Sequence, residues 1–254
     1  MKNLGPWLGL AFDEFKRNWK EHLIPSMVMF VISMVLVFGL MTIGIIVAAV
    51  LIMLASLISE DVAAIVAVFC YALGLPLSVF GMVAVMTPLM VGYYRIVLRV
   101  MRGQPYELSE MFALEGVGKA IVANVVGATA TGLAAMACYL PALPVSVLFF
   151  FTLPLIADNK ADSGMDAVRK SIALARQDFW GLLAYWFVAL MIGMVVAYIP
   201  FVGAFISMPL FSIFILTPYL ALSEGEGEQP AQLEGAPVTV EKDLANPYSS
   251  PRQV

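Results

Sequence analysis

Residues 120–157 read AIVANVVGATATGLAAMACYLPALPVSVLFFFTLPLIA and carry no charged side chain. A helix needs about 20 apolar residues to cross the ~30 Å hydrocarbon core of a bilayer. This run is long enough for two crossings. Its middle, YLPALP at 139–144, supplies the proline punctuation that ends one helix and starts another. The pattern predicts a helical hairpin with spans at about 118–138 and 143–158. Residues 179–223 repeat it around YIPFVG at 198–203, which predicts spans at about 179–199 and 203–222.

Working outward, residues 22–59 and 62–94 are also free of Asp, Glu, Lys and Arg. As one helix, residues 23–58 would be about 54 Å long at 1.5 Å per residue. That exceeds a bilayer, so the helix must tilt and protrude, or break near Gly39 and Gly44. Ser59, Glu60 and Asp61 then form a polar turn. A second span runs from Val62 towards Arg95, with Gly74 and Pro76 as kink points. The expected fold is all-α: a polytopic transmembrane bundle of about six spans at 22–222, with an amphipathic segment at 1–21 before it. Residues 223–254, rich in Glu, Pro, Gly and Ser, read as a disordered acidic tail. Within it, NPYSSP at 246–251 is a candidate docking motif.

Composition agrees with the runs. Hydrophobic residues make up 61% and charged residues 13%, against ~45–50% and ~25% in soluble domains. Mean hydropathy is +0.92. The net charge of −4 comes from the tail, where Glu224, Glu226, Glu228, Glu234, Glu241 and Asp243 face only Lys242 and Arg252. The rest is balanced and offers no basic domain for nucleic acid. Cys70 and Cys138 sit in apolar runs and read as small buried hydrophobes. The start lacks the short apolar core of a cleavable signal, since Asp13 and Glu14 interrupt it.

The fourteen Lys and Arg fall before span 1, between spans 2 and 3, between spans 4 and 5, and in the tail. The three alternate turns have none. Positive charge stays on the cytoplasmic side, so both termini are expected inside.

The chain also repeats. Thr87, Thr152 and Thr217 are spaced by 65 and again by 65, among only seven threonines. Each lies within two residues of a proline: Pro88, Pro154 and Pro218. Three parallel hairpin repeats follow from this. A proline frees a backbone carbonyl, and a neighbouring hydroxyl can satisfy it; the three sites are therefore candidate kinks or, alternatively, the lining of a shared pathway.

Three segments show helical apolar spacing. Met165, Val168, Ile172, Ala175 and Phe179 form one stripe behind a Ser163 cap, flanked by Arg169, Lys170 and Arg176. Those three cations are candidate contacts for anionic lipid headgroups. Leu8, Ala11, Phe12, Phe15 and Trp19 form the second stripe, with Asp13, Glu14, Lys16 and Arg17 opposite. Tyr106, Leu108, Met111, Phe112 and Leu114 make a weaker third. Small residues mark packing faces: Gly127, Thr131 and Gly132 in span 3 and Gly193 in span 5 let backbones approach, within the bundle or between copies in a homo-oligomer.

Catalytic and cofactor signatures are missing. The spans carry no ionisable pathway of the kind found in pumps. His22 is the single histidine, and Glu60–Asp61 reads as a solvated turn. No phosphate loop or zinc motif occurs, and no cofactor is expected.

YLPALP at 139–144, TLPLIAD at 152–158, VRKS at 168–171 and Phe179-Trp180 resemble the YciC-like bacterial inner-membrane proteins. They are also similar to the membrane domain joined to some glycerophosphodiester phosphodiesterases. FKRNW at 15–19 resembles their entry segment. The resemblance implies a bacterial inner membrane and a multi-span bundle, without catalytic residues. The functional expectation is a non-enzymatic scaffold or accessory subunit that meets membrane lipids and a protein partner on its cytoplasmic face. A transporter or channel for a neutral or apolar solute, and a lipid-handling protein, are the alternatives.

Overall fold

The computed structural model describes residues 3–137, 139–199 and 202–224; the side chains at 75–80, 137, 139, 140, 197, 202 and 204 are outside the description. The described residues form eight α-helices and one short 3-10 helix, without strands. The helices are α1 (Leu4–Ser56), α2 (Glu60–Met101), α3 (Val117–Ala137), α4 (Tyr139–Leu148), α5 (Thr152–Ala157), α6 (Gly164–Gln177), α7 (Phe179–Ala197) and α8 (Val202–Ser223). Five of the helical segments are long and apolar enough to cross a membrane, and Pro141–Ala157 is a shorter apolar stretch. This is a helical bundle with the character of a membrane protein.

Two expectations change, and one open alternative is decided. Residues 23–56 form one unbroken helix through Gly39 and Gly44; the only non-helical residue inside α1 is Asn18, ahead of the apolar run. The anticipated span at 143–158 is not one helix: α4 stops at Leu148, and α5 begins at Thr152. The third apolar stripe does not make an amphipathic helix but a 3-10 turn, Leu108–Phe112, with Met111 buried. α3 ends at Ala137 and α4 starts at Tyr139; position 138, in the expected turn region, lies outside the described residues. Of the expected tail only Ser223 and Glu224 are described; the 246–251 motif lies outside.

The core sits at one end of the bundle. Buried apolar side chains concentrate at 89–101 of α2, 155–157 of α5 and 210–219 of α8, with Trp7, Ala11 and Met29 of α1 and Leu182, Tyr185 and Ala189 of α7. Edge-to-face rings tie these elements together: Trp7 meets Tyr185 at 5.8 Å, and Tyr185 meets Phe214 at 6.0 Å between centroids. Arg95, Arg99, Arg102 and Lys160 lie at this end, called the basic end below. The opposite parts of α1 and α2 expose apolar side chains all round, including Val35, Phe38, Ile45, Val68 and Phe69. A surface that is apolar on every face is suited to lipid, which is as apolar as the side chains themselves.

Candidate functional site

Arg102 closes α2 and is the hub of the basic end. Its Nη1 and Nη2 donate to Asp158 Oδ1 and Oδ2 at 2.6 and 2.9 Å, and Nη2 also donates to Glu224 Oε1 at 2.8 Å. Tyr219 Oη donates to Asp158 Oδ2 at 2.8 Å, and Lys160 Nζ stands 3.1 Å from the same oxygen. The fork geometry of guanidinium on carboxylate is the strong form of such a bond. Burial alone would push the Asp158 carboxyl up. Hydrogen bonds from Arg102 and Tyr219, with Lys160 adding to them, outweigh it and hold the carboxyl below its ordinary value. The bond to Asp158 raises Arg102 further. One cluster thus joins the ends of α2, α5 and α8.

A second polar cluster lies where α1 enters the bundle. Glu14, expected on the polar face, is buried instead, and so is His22. The Glu14 carboxylate accepts from Arg17 at 2.7 Å and Asn18 at 3.0 Å, and His22 Nε2 lies 3.1 Å from it. Residues 7, 11, 14, 22, 25, 26 and 29 form the inward face, a stripe of threes and fours. Trp19 points out. Next along, Tyr93 Oη bridges Ser26 Oγ at 2.7 Å and Ser212 Oγ at 3.0 Å, linking α1, α2 and α8. Pro25 leaves the Glu21 carbonyl without its helical N–H. Tyr106 Oη donates to that carbonyl at 3.4 Å and to the Glu21 carboxylate at 3.2 Å. Burial and that carboxylate push the Tyr106 phenol up to about 12.

The three threonines are all buried. Thr87 Oγ1 donates to Val83 O at 2.6 Å and Thr217 Oγ1 to Ile213 O at 2.8 Å. These are the threonines' own carbonyls one turn back. Pro88 and Pro218 free the next ones, at Ala84 and Phe214, so the hydroxyls do not compensate the prolines in the manner expected. Back-bonding of this kind favours a bend. Thr152 differs, since its Oγ1 donates to Phe149 O at 2.8 Å. Pro154 stands two residues on rather than one, in the first turn of α5, where a helix has no use for the N–H. The break at 149–151 is spliced by α6: Ser171 Oγ donates to Leu148 O at 2.8 Å and accepts from Phe151 N at 3.1 Å.

Beside the break, α2, α3, α4 and α5 line an open cleft of about 420 Å³ with Asn124, Thr131, Ser146 and Thr152 in its walls. Asn124 Nδ2 donates to Thr87 Oγ1 at 2.8 Å. Thr87 and Thr152 thus meet the same neighbourhood, whereas Thr217 does not line it. Asn124 was not singled out in the sequence, although it is the only carboxamide in the third span.

The packing glycines separate. Gly127 rests on the Phe149 ring, and Gly193 on the Phe211 ring, while Gly132 has open space where a Cβ would go. Thr131 lines the cleft. The closest backbone approaches fall on two glycines the sequence did not mark: Gly92 against the Met111 backbone, and Gly164 against the Lys119 carbonyl. On α6 the bundle-facing stripe is Gly164, Ala167, Val168, Ser171 and Ala175, rotated from the expected one, with Met165 exposed. Arg169 and Arg176 are exposed; Lys170 is held by Asp166 at 2.7 Å and by the Lys160 carbonyl at 2.8 Å. Ser163 caps α6, accepting from Asp166 N, and Asp178 caps α7, accepting from Gly181 N. Among the described residues no group of three or more His, Cys, Asp or Glu side chains converges. No family model, curated protein or solved structure matches the chain.

Proposed function

We propose that the chain is a six-span protein of a bacterial inner membrane, related to the YciC-like proteins, that works as a scaffold or accessory subunit and not as an enzyme. In this reading the α4–α5 pair is the sixth crossing, beside the five long helices. The three hairpins run parallel, each starting and ending at the basic end, which is the cytoplasmic face. Arg169 and Arg176 on α6 reach anionic headgroups, and the acidic tail leaves from Glu224 towards a partner.

The observation that carries the reading is the burial of Thr87, Thr152 and Thr217 against neighbouring helices. A solute pathway built on the three repeats would need all three hydroxyls on one continuous cavity. Thr87 and Thr217 are instead turned onto their own helix carbonyls, and Thr217 does not line the cleft. The Arg102 cluster supports it too, because a docking face gains from being rigid.

Affinity purification from native membranes, with and without residues 223–254, tests the role. A partner lost on tail deletion is the expected result. Solute flux in proteoliposomes with no stable partner would reverse it. Reporter fusions at residue 60 and at the C-terminus are expected on opposite sides of the membrane; the same side for both would remove the six-span topology.

A further inference from the structure

The cleft beside the broken helix contains polar atoms that the chain itself leaves unused. Thr87 donates its hydroxyl proton to Val83 O, so its oxygen can only accept, and this fixes the Asn124 amide with its NH₂ towards Thr87. Asn124 Oδ1 is then turned away from that bond, and among the described residues no donor reaches it. The Thr131 hydroxyl, two turns on along the same face of α3, likewise has no partner among the described residues. Both belong to a helix with the length and composition of a membrane span. In hydrocarbon an unpaired amide or hydroxyl costs several kcal/mol. A site that keeps two of them open in a cleft of about 420 Å³ has room for an occupant with polar atoms of its own.

The walls identify its chemistry. None of the lining residues is charged: beyond Asn124, Thr131, Ser146 and Thr152 they are Val, Ala, Gly and Phe. A phosphate would find no cation there. Asn124 also lies about 10 Å along α3 from its first residue, at 1.5 Å per residue, inside the stretch of α3 that has the length and composition of a membrane span. Oδ1 asks for a donor, which the esters of a phospholipid lack and a free hydroxyl supplies.

We propose that this cleft binds an uncharged, hydroxyl-bearing lipid of the diacylglycerol type, its hydroxyl donating to Asn124 Oδ1 and its chains leaving through the open side of the cleft. The inference needs only that α3 and α4–α5 cross the membrane; it does not depend on the scaffold role.

The test is photolabelling of the full chain in phosphatidylcholine nanodiscs, using photoactivatable analogues of diacylglycerol, phosphatidic acid and phosphatidylglycerol. Diacylglycerol is expected to label residues of the cleft walls on α3 and α4 in preference to the two anionic lipids. Ala128→Phe, which fills the cleft from an exposed position, should abolish that labelling. Asn124→Leu should lower it about five-fold, the worth of one neutral hydrogen bond. Equal labelling by all three lipids, or labelling that survives Ala128→Phe with the thermal midpoint retained, overturns the proposal. Should Ala128→Phe fail to fold, competition on the native chain decides: unlabelled diacylglycerol must displace the probe and unlabelled phosphatidylglycerol must not.

Discussion

Glu14 shows how one residue's face is decided by its register and not by its charge. It sits on the inward stripe of α1 because residues 7, 11, 14 and 22 recur at helical spacing, and the carboxylate is made tolerable there by Arg17, Asn18 and His22. Replacing it with Ala leaves Asn18 and the buried His22 ring unpartnered, and is expected to cost about 2 kcal/mol in detergent unfolding. Asp13→Ala next to it should change stability by under ~0.5 kcal/mol. The contrast is partly legible in the sequence: Asp13 and Glu14 both fall opposite the stripe of 8, 11, 12, 15 and 19, yet Glu14 stands eight residues, about two helical turns, ahead of His22. Glycines make a second contrast at this scale. A methyl at Gly92 runs into the Met111 backbone, whereas one at Gly132 meets nothing. Gly92→Ala should therefore destabilise by about 2 kcal/mol, as over-packing does. Gly132→Ala should be neutral or gain up to ~1 kcal/mol from helix propensity. Spacing rules find glycines near glycines, and neither Gly92 nor Gly164 has a small residue four positions away to advertise it.

Between elements, two devices hold the basic end, and both act on backbone groups or charges that helices cannot satisfy internally. Ser171 of α6 is wedged into the gap between α4 and α5. Ser171→Ala strands the Leu148 carbonyl and the Phe151 N–H, for an expected loss of about 2 kcal/mol, read as a lower thermal midpoint. Arg102→Ala leaves the Asp158 carboxylate, 9% exposed at its side chain, without its bidentate partner; about 3 kcal/mol is expected, and Arg102→Lys should recover part of it because the charge returns without the fork. The same cluster sets an acid limit. The folded state holds Asp158 below its ordinary value of 3.8, so its contribution is complete above that pH and is lost as pH falls through the lowered folded value. Thermal unfolding between pH 7 and pH 3 should show the native chain losing stability below about pH 4 more steeply than Asp158→Asn. The existence of the apolar helices was legible from the runs alone, and so were the α6 and α7 caps, which are local. The α4–α5 break was not, because Thr-Leu-Pro and Thr-Pro look like versions of one motif. One intervening residue moves the proline from a helix interior to a helix start. The Arg102 cluster was hidden for a different reason: its members are 56 and 122 positions apart.

At the scale of the whole molecule the hairpin of α1 and α2 is out of proportion to its neighbours. Residues 23–56 span about 51 Å, against about 29 Å for α7, at 1.5 Å per residue. Even a tilt of about 40°, the upper end for membrane helices, leaves about 39 Å to fit into a ~30 Å core. Leu57 and Ile58 at the hairpin tip are among the most exposed apolar residues, and none of the described residues shields them. With the apolar hairpin kept in hydrocarbon along its length, lipid is expected to stand taller along one flank of the protein than along the other, the chain acting as a caliper laid against the bilayer. Its thermal midpoint is expected to rise as nanodisc lipids change from short-chain to long-chain phosphatidylcholine, and shortening the hairpin by two turns on each side should move the optimum back towards thin membranes. In a membrane of uneven thickness, such a molecule gathers where the sheet is thickest, sorted by its own stature before it has met a partner.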